Sequence, residues 1–317
     1  MMEELCRFRP PQLSRQLTWE ITRFCNLLCD HCCTMSGPDA ARSHEPTTEA
    51  LILAAGDLAA SGITKVQFSG GEPLLRDGFL EVLDTVDTDV VSVHLASNGY
   101  SLTDRVIERL VTAGLHKLSV SVDGGTAEHH DLIRRKSGAF DRTMDGVSRS
   151  VSAGLCVGIS ATVTPGNISS LEALVNRLAE IGVADVSFHS VVAVGRAVHH
   201  PDLLFAADRE RELEDELRRL HEIYGQDVVF DHSFGGDASR STSGCPAQDR
   251  LLHIDPSGDV SPCSWLYKLD PVSFTLGNIT AEPLREIVDR HCERLEDLRS
   301  QETERCIIPL ATLAPIS

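Results

Sequence analysis

Residues 17–33 read LTWEITRFCNLLCDHCC. The opening half, Leu17–Thr22, is a run of β-forming residues and predicts a strand. That strand feeds directly into Cys25, Cys29 and Cys32, three thiols separated by three and then two residues. Thiolates grouped this way on one loop can each bind a different iron of a cubane cluster, leaving the fourth iron without a protein ligand. A substrate group can coordinate such an open iron and receive an electron there. Zinc is the competing reading, because structural zinc needs a fourth ligand and Cys33 or His31 is close enough in sequence to supply one.

Working outward, further β-like runs follow at Lys65–Ser69, Val90–Ala96, Lys117–Val122, Val157–Val163 and Asp185–Val191. Amphipathic helical stretches separate them at Thr48–Ala60, Gly78–Val86, Thr103–Ala113, Phe140–Ala153 and Ser169–Ile181. Thr47 or Thr48 and Ser101 or Thr103 stand where helix caps belong. Repeated strand–helix alternation predicts a parallel sheet with right-handed crossovers. Six units fall short of a closed eight-stranded barrel, so the expected class is α/β, a partial, TIM-like (β/α)6 barrel. In such a barrel the strands' C-terminal ends form the reactive face, which is where the three thiols lie.

The pattern changes after residue 200. Residues 206–224 predict one charged helix with Leu213, Leu217, Leu220 and Ile223 on a single face. A Gly/Ser-rich stretch over 233–247 reads as a loop. Two short β-like pieces, Arg250–Ile254 and Asp259–Ser261, flank the turn sequence Asp255-Pro256-Ser257-Gly258. The expected organisation is an N-terminal extension (1–16), the barrel (17–225) and a small C-terminal domain (226–317).

The net charge of −18 argues against a nucleic-acid partner, which requires a surplus of Lys and Arg. It favours cationic substrates through steering, although acidic surfaces also serve solubility. No run of apolar residues is long enough for a transmembrane helix, and residues 1–16 lack the apolar core of a signal peptide. The cytoplasm is therefore expected, and in that reducing compartment ten cysteines read as metal ligands, reactive thiols or buried side chains.

Cys25, Cys29 and Cys32, with His31 at the aromatic-type position before the last, resemble the signature of the radical S-adenosylmethionine (SAM) superfamily. Ser69-Gly70-Gly71-Glu72-Pro73 resembles the family's GGEP motif, which implies that Gly70, Gly71, Glu72 and Pro73 receive the amino group of the methionine part. The resemblance places Ser97, Asn98, Ser121 and Asp123 beside the ribose and carboxylate. It sets Arg134 or its neighbour Arg135 near that carboxylate and His31 against the adenine. It covers residues 17–200 and implies a [4Fe–4S] cluster, SAM, and an electron donor such as flavodoxin or ferredoxin.

Cys245 and Cys263, with Gly258 between them and Leu276-Gly277-Asn278-Ile279 beyond, resemble the auxiliary-cluster domains called SPASM and twitch, the shorter twitch form fitting better. This implies a second [4Fe–4S] cluster on Cys245, Cys263, Cys306 and, as a further ligand, Cys292. The alternative is that these are buried apolar thiols. Cys33 adjoins the first loop, where a thiol can donate a hydrogen atom to a carbon radical or simply pack the loop. His129-His130 reads as a solvated pair, and Asp249, His253 and Asp255 include a candidate base beside turn residues.

The expected activity is hydrogen abstraction from a small polar molecule such as an amino sugar or aminoglycoside, leading to carbinol dehydrogenation or epimerisation. The shortness of the segment before the first strand is one support for it, since a peptide-recognition domain would need more room. The alternative is maturation of a ribosomally made peptide through a thioether, carbon–carbon link or epimerised residue. A non-catalytic zinc-bound scaffold is the third reading.

Overall fold

The structure, a computed structural model, describes residues 15–183, 185–206, 210–225, 229–233 and 250–299. Its core follows the expected alternation: β1 (Arg15–Glu20), α1 (Thr48–Gly56), β2 (Ile63–Ser69), α2 (Phe79–Thr85), β3 (Ser92–Ser97) and α3 (Asp104–Thr112). It continues with β4 (Lys117–Ser121), α4 (Ala127–Arg134), α5 (Ala139–Ser152), β5 (Val157–Val163), α6 (Leu171–Ile181) and β6 (Asp185–Ser190). Thr47 caps α1 and Thr103 caps α3, each accepting a backbone N–H from the first helical turn. Strands β1 to β6 pair in parallel and in chain order.

Two strands extend this sheet in ways the sequence did not announce. After α7 (Glu210–Tyr224), β7 (Val229–Ser233) pairs in parallel with β6. At the opposite edge β8 (Leu251–Ile254) pairs in parallel with β1, Trp19 facing Ile254. The expected hairpin then forms: β8 turns into antiparallel β9 (Asp259–Ser261), which pairs with β10 (Gly277–Asn278). Asp255 shapes that turn by accepting the Ser257 and Asp259 N–H groups, and Gly258 supplies the positive φ of 89°. Helices α8 (Ser264–Leu269), α9 (Pro271–Phe274) and α10 (Leu284–Arg299) complete the described C-terminal part. Among the described residues ten strands form one sheet, and no ladder joins β10 to β7, so the barrel stays open.

Side chains alternate across this sheet, and the two faces differ sharply. Leu17, Trp19, Val66, Phe68, Val93 and Leu95 point outward and are buried in the main core. Phe68 anchors that layer between Trp19, 5.5 Å away, and Phe79, an edge-on neighbour at 5.4 Å. Leu213, Leu217 and Leu220 of α7 are buried as expected, whereas Ile223 is exposed. The inner face carries Thr18, Gln67, Ala96, Ser119, Ser160 and Ser187, all half-buried. A closed TIM barrel fills this space with branched apolar residues. Here the wall is small and polar.

At the wall's lower end Lys117 reaches across β5 to Asp185, with Nζ 2.7 Å from Oδ2, and passes Gly158, where a Cβ would crowd both side chains. Among the described residues no helix is long and apolar enough to cross a membrane.

Replacing Phe68 with Ala removes a large, fully buried aromatic side chain from the centre of the outer core. We expect a loss of about 3–5 kcal/mol in denaturant unfolding, with no new inner-wall ligand specificity.

Candidate active site

The cysteine loop leaves β1 and lies flat against the end of β2. Gly71 N–H donates to the Thr22 carbonyl at 2.7 Å, and Glu72 N–H donates to the Phe24 carbonyl at 2.8 Å. A Cβ on Gly71 would overlap the Phe24 carbonyl, and one on Gly70, whose φ is 122°, would overlap that of Thr22. On the side where a side chain would project, the room at both glycines is filled by the protein's own backbone.

Glu72 has no exposed surface and ties the ends of β2 and β3 together. Its Oε1 accepts from Ser97 Oγ at 2.9 Å and from Leu74 N–H at 3.2 Å, and Oε2 accepts from Asn98 N–H at 2.8 Å. Burial pushes its carboxyl up to about 7 despite these donors. Pro73 follows, buried at the start of a 3-10 turn. Asn98 carries the link onward: its Nδ2 donates to Asn26 Oδ1 at 2.8 Å and lies 3.6 Å from Cys25 Sγ.

Cys25 and Cys29 are buried and pack with Leu27, and half-buried Cys32 lies against them. Leu27 N–H points to Cys25 Sγ at 3.4 Å, Arg134 Nη1 to Cys29 Sγ at 3.9 Å, and Thr34 Oγ1 lies 3.3 Å from Cys32 Sγ. Donors aimed at cysteine sulfurs are the supporting shell that iron–sulfur ligands use. Burial pushes the Cys25 thiol up to about 12, so a cationic metal core is what would hold it as thiolate. Among the described residues no three His, Cys, Asp or Glu side chains are gathered tightly enough for a single ion.

The other wall of the site is a buried ion pair. Arg134 Nε donates to Asp123 Oδ2 at 2.6 Å, and Asp123 Oδ1 accepts Thr162 N–H at 2.9 Å. The Arg134 guanidinium overcomes burial and holds the Asp123 carboxyl far below the ordinary range. Of the two adjacent arginines, Arg134 turns into the site, while exposed Arg135 pairs with Asp30. His31 Nε2 lies 3.6 Å from Asp123 Oδ2, its Nδ1 is buried without a partner, and burial lowers it to about 4. It is a neutral flat ring at neutral pH. His130 corrects the expectation of a solvated histidine pair: it is fully buried, and Asp123 N–H donates to its Nδ1 at 3.1 Å. Asn167, also unforeseen, donates to the carbonyls of Asp123 and Thr162. Ser121 ends β4 on the half-buried inner face.

Across the β1–β8 seam, buried Glu20 receives two partners on one oxygen. Lys268 Nζ donates to Oε1 at 3.3 Å, and His253 Nε2 lies 3.3 Å from the same atom. His253 is thus an inner-face residue, whereas Asp255 is a turn residue that also pairs with Arg23. Exposed Cys33 sits in the electrostatic neighbourhood of Lys268 and Glu20. Half-buried Cys263 precedes α8. Cys292 falls within the α10 backbone with its side chain outside those described, and Cys245, Asp249 and Cys306 lie outside the described residues.

Comparison with known proteins bears on this geometry. Residues 19–187 match the model of the radical SAM superfamily, and residues 245–307 match SPASM, an iron–sulfur cluster-binding domain. An AdoMet-dependent heme synthase from Methanosarcina barkeri is 31% identical over 91% of this chain and 85% of its own length. The mycofactocin maturase MftC from Mycolicibacterium smegmatis is 30% identical over 90% of this chain and 73% of its own. Among solved structures, SuiB of Streptococcus suis bound to S-adenosylmethionine superposes with a TM-score of 0.70 at 16% identity. That match covers 90% of this chain and 68% of SuiB and shows a shared fold.

Two expectations follow. Gly71→Ala should destabilise by about 2 kcal/mol or more, because backbone must move, whereas Gly154→Ala, with open space but φ 85°, should lose only about 1–2 kcal/mol. Paired unfolding curves check this. Glu20 is lowered to about 2, so its stabilisation is present above its unfolded value near 4.5 and fades as pH falls toward 2. Glu20→Gln should therefore lower stability by about 2–3 kcal/mol at pH 7, and the gap should close across that acid window.

Proposed function

The chain belongs to the radical SAM superfamily and carries a SPASM iron–sulfur domain, and from that premise we propose that it matures a ribosomally made peptide. Its cofactors are a [4Fe–4S] cluster, SAM and the iron–sulfur cluster of the SPASM domain. Bound together, the first cluster and SAM supply one-electron chemistry that removes a hydrogen atom from an unactivated carbon.

Cys25, Cys29 and Cys32 would hold the first cluster, with Asn98, Leu27 and Arg134 donating to their sulfurs. Glu72 would turn a carboxylate oxygen to the methionine ammonium, whose charge would favour the anion that burial alone disfavours. Gly70, Gly71 and Pro73 fix its backbone, while Ser97, Asn98 and Ser121 line the strand ends beside it. Arg134, locked by Asp123, would face the methionine carboxylate, and neutral His31 would stack on the adenine. Cys263, with Cys245, Cys306 and Cys292, would hold the auxiliary cluster. Cys33, an exposed thiol on the same loop, would return a hydrogen atom to substrate.

The observation that carries the choice of substrate is the inner wall. Thr18, Gln67, Ser119, Ser160 and Ser187 offer hydroxyl and amide groups to the main chain of an extended peptide. A tetrapyrrole, the natural reading of likeness to a heme synthase, is a wide apolar plane that calls for apolar and aromatic walls. Polyamine sugars call for free carboxylates, yet Glu20 and Asp185 on this face are each engaged by a lysine. The likeness to a maturase, and to a fold solved with the precursor peptide SuiA, agrees with the peptide reading.

The test is anaerobic incubation with a reductant, SAM and a ribosomally made precursor peptide, drawn from any short reading frame adjoining the gene, followed by mass spectrometry. A peptide lighter by two hydrogens, as a thioether or carbon–carbon link requires, or one that gains a single deuteron in D2O, as epimerisation requires, is expected with matching 5′-deoxyadenosine. Conversion of an iron tetrapyrrole or an aminoglycoside with the peptide untouched would contradict the reading. Cys29→Ala should abolish deoxyadenosine formation altogether, since two thiolates do not hold a cubane.

A further inference from the structure

The segment after β6 reaches back over the cysteine loop. It forms a 3-10 turn, Gly195–His199. The Arg196 backbone N–H donates to the Cys32 carbonyl at 3.0 Å. Its guanidinium donates twice more, from Nε to the Cys29 carbonyl at 2.8 Å and from Nη2 to the Ser36 carbonyl at 2.6 Å. Gly195 lets the chain come this close: its φ is 59°, and a Cβ there would overlap the Cys32 and Cys33 carbonyls. Beside it, His200 Nε2 lies 3.4 Å from Asp30 Oδ1, the oxygen that also receives Arg135.

The loop's own backbone bonds are few and long. Cys25 N–H reaches Gly37 at 3.2 Å, Cys32 N–H reaches Cys29 at 3.2 Å, and Met35 N–H reaches Cys32 at 3.5 Å. Met35 adopts a left-handed φ of 56°, unusual for a side-chain-bearing residue. A loop of this kind does not hold three ligands in register unaided. We propose that Arg196 is a positioning residue that clamps residues 29–36 by their carbonyls and so keeps Cys25, Cys29 and Cys32 in the arrangement that takes a cluster. Its planar fork suits the task, because donors fixed in different directions reach two carbonyls at once, which the single ammonium of lysine does not reproduce. The clamp also joins the end of β6 to the end of β1 across the mouth of an open barrel, where no strand pairing among the described residues does so.

The proposal rests on the three cysteines being cluster ligands, and the experiment separates the two ideas. Wild type, Arg196→Lys and Arg196→Met are reconstituted with iron and sulfide and compared in two readouts beside activity: hydrogen exchange of amides 25–36, and the rate at which a chelator strips iron. Arg196→Met should keep the wild-type circular dichroism spectrum, exchange across residues 29–36 about tenfold faster, and lose iron several-fold faster, as expected when hydrogen bonds from a charged donor are lost. Arg196→Lys should fall between. Wild-type exchange and wild-type iron loss in Arg196→Met would overturn the clamp. Should that variant not fold, Arg196→Lys decides by the same readouts. If wild type itself takes up no iron, the ligand assignment fails, while exchange on the metal-free proteins still judges the clamp.

Discussion

Two stretches of backbone, Thr22–Phe24 and Gly70–Glu72, lie against each other with no side chain between them, and the site is built outward from that contact. It sets the loop that carries Cys25 directly on the end of β2 and brings Glu72 beneath it. From Glu72 the connection passes to Ser97 and Asn98 at the end of β3, and through Asn98 back to Asn26 and Cys25. Three strand ends are thereby fixed relative to one another by hydrogen bonds in a place that excludes water. Asp123 and Arg134 add the end of β4 and return to Cys29. Reactive geometry here is a property of strand ends held together, and the helices behind them supply the apolar area that makes the arrangement rigid.

The division of the sheet into an apolar outer face and a hydroxyl-rich inner face follows the same logic. Burying Trp19, Phe68 and Leu95 under the helices leaves the opposite side chains free to serve a ligand. Openness gives the wall its use: a barrel that does not close has no need to fill its centre. The C-terminal segment then closes one edge by adding β8 to β1 and sets Lys268 and His253 against Glu20 on that inner face.

Much of this was legible in the sequence, and the exceptions have physical causes. Strands β1 to β6 and their helices were readable because the strands alternate apolar with polar residues and the amphipathic helices repeat a pattern of their own. The partner of β8 was not readable, since a four-residue strand pairing across more than two hundred positions leaves no local signature. Short β7 and the charged helix α10 carry weak patterns of their own. At the site, the spacing of Cys25, Cys29 and Cys32 and the order of the strand-end motifs named the neighbourhood, but not which atoms meet. Arg134 and Arg135 are adjacent in sequence and opposite in space, because the helix ends between them, Arg135 taking the left-handed cap at φ 55°. His130 looked like half of a surface pair because burial of a polar ring depends on a distant partner, Asp123. Gly70 and Gly71 were identifiable as close-approach positions, but only coordinates show that on the side-chain side the approach is by the protein's own chain.

The reactive role of the β1 loop stands on buried Cys25 and Cys29 and half-buried Cys32 holding a four-iron cluster with one iron free of protein. Mössbauer spectroscopy of the anaerobically reconstituted protein, recorded before and after SAM is added, tests it most directly. One iron in the N-terminal cluster should change its isomer shift on SAM binding while the other three stay put. Four irons indifferent to SAM, or a loop loaded with zinc, would contradict it.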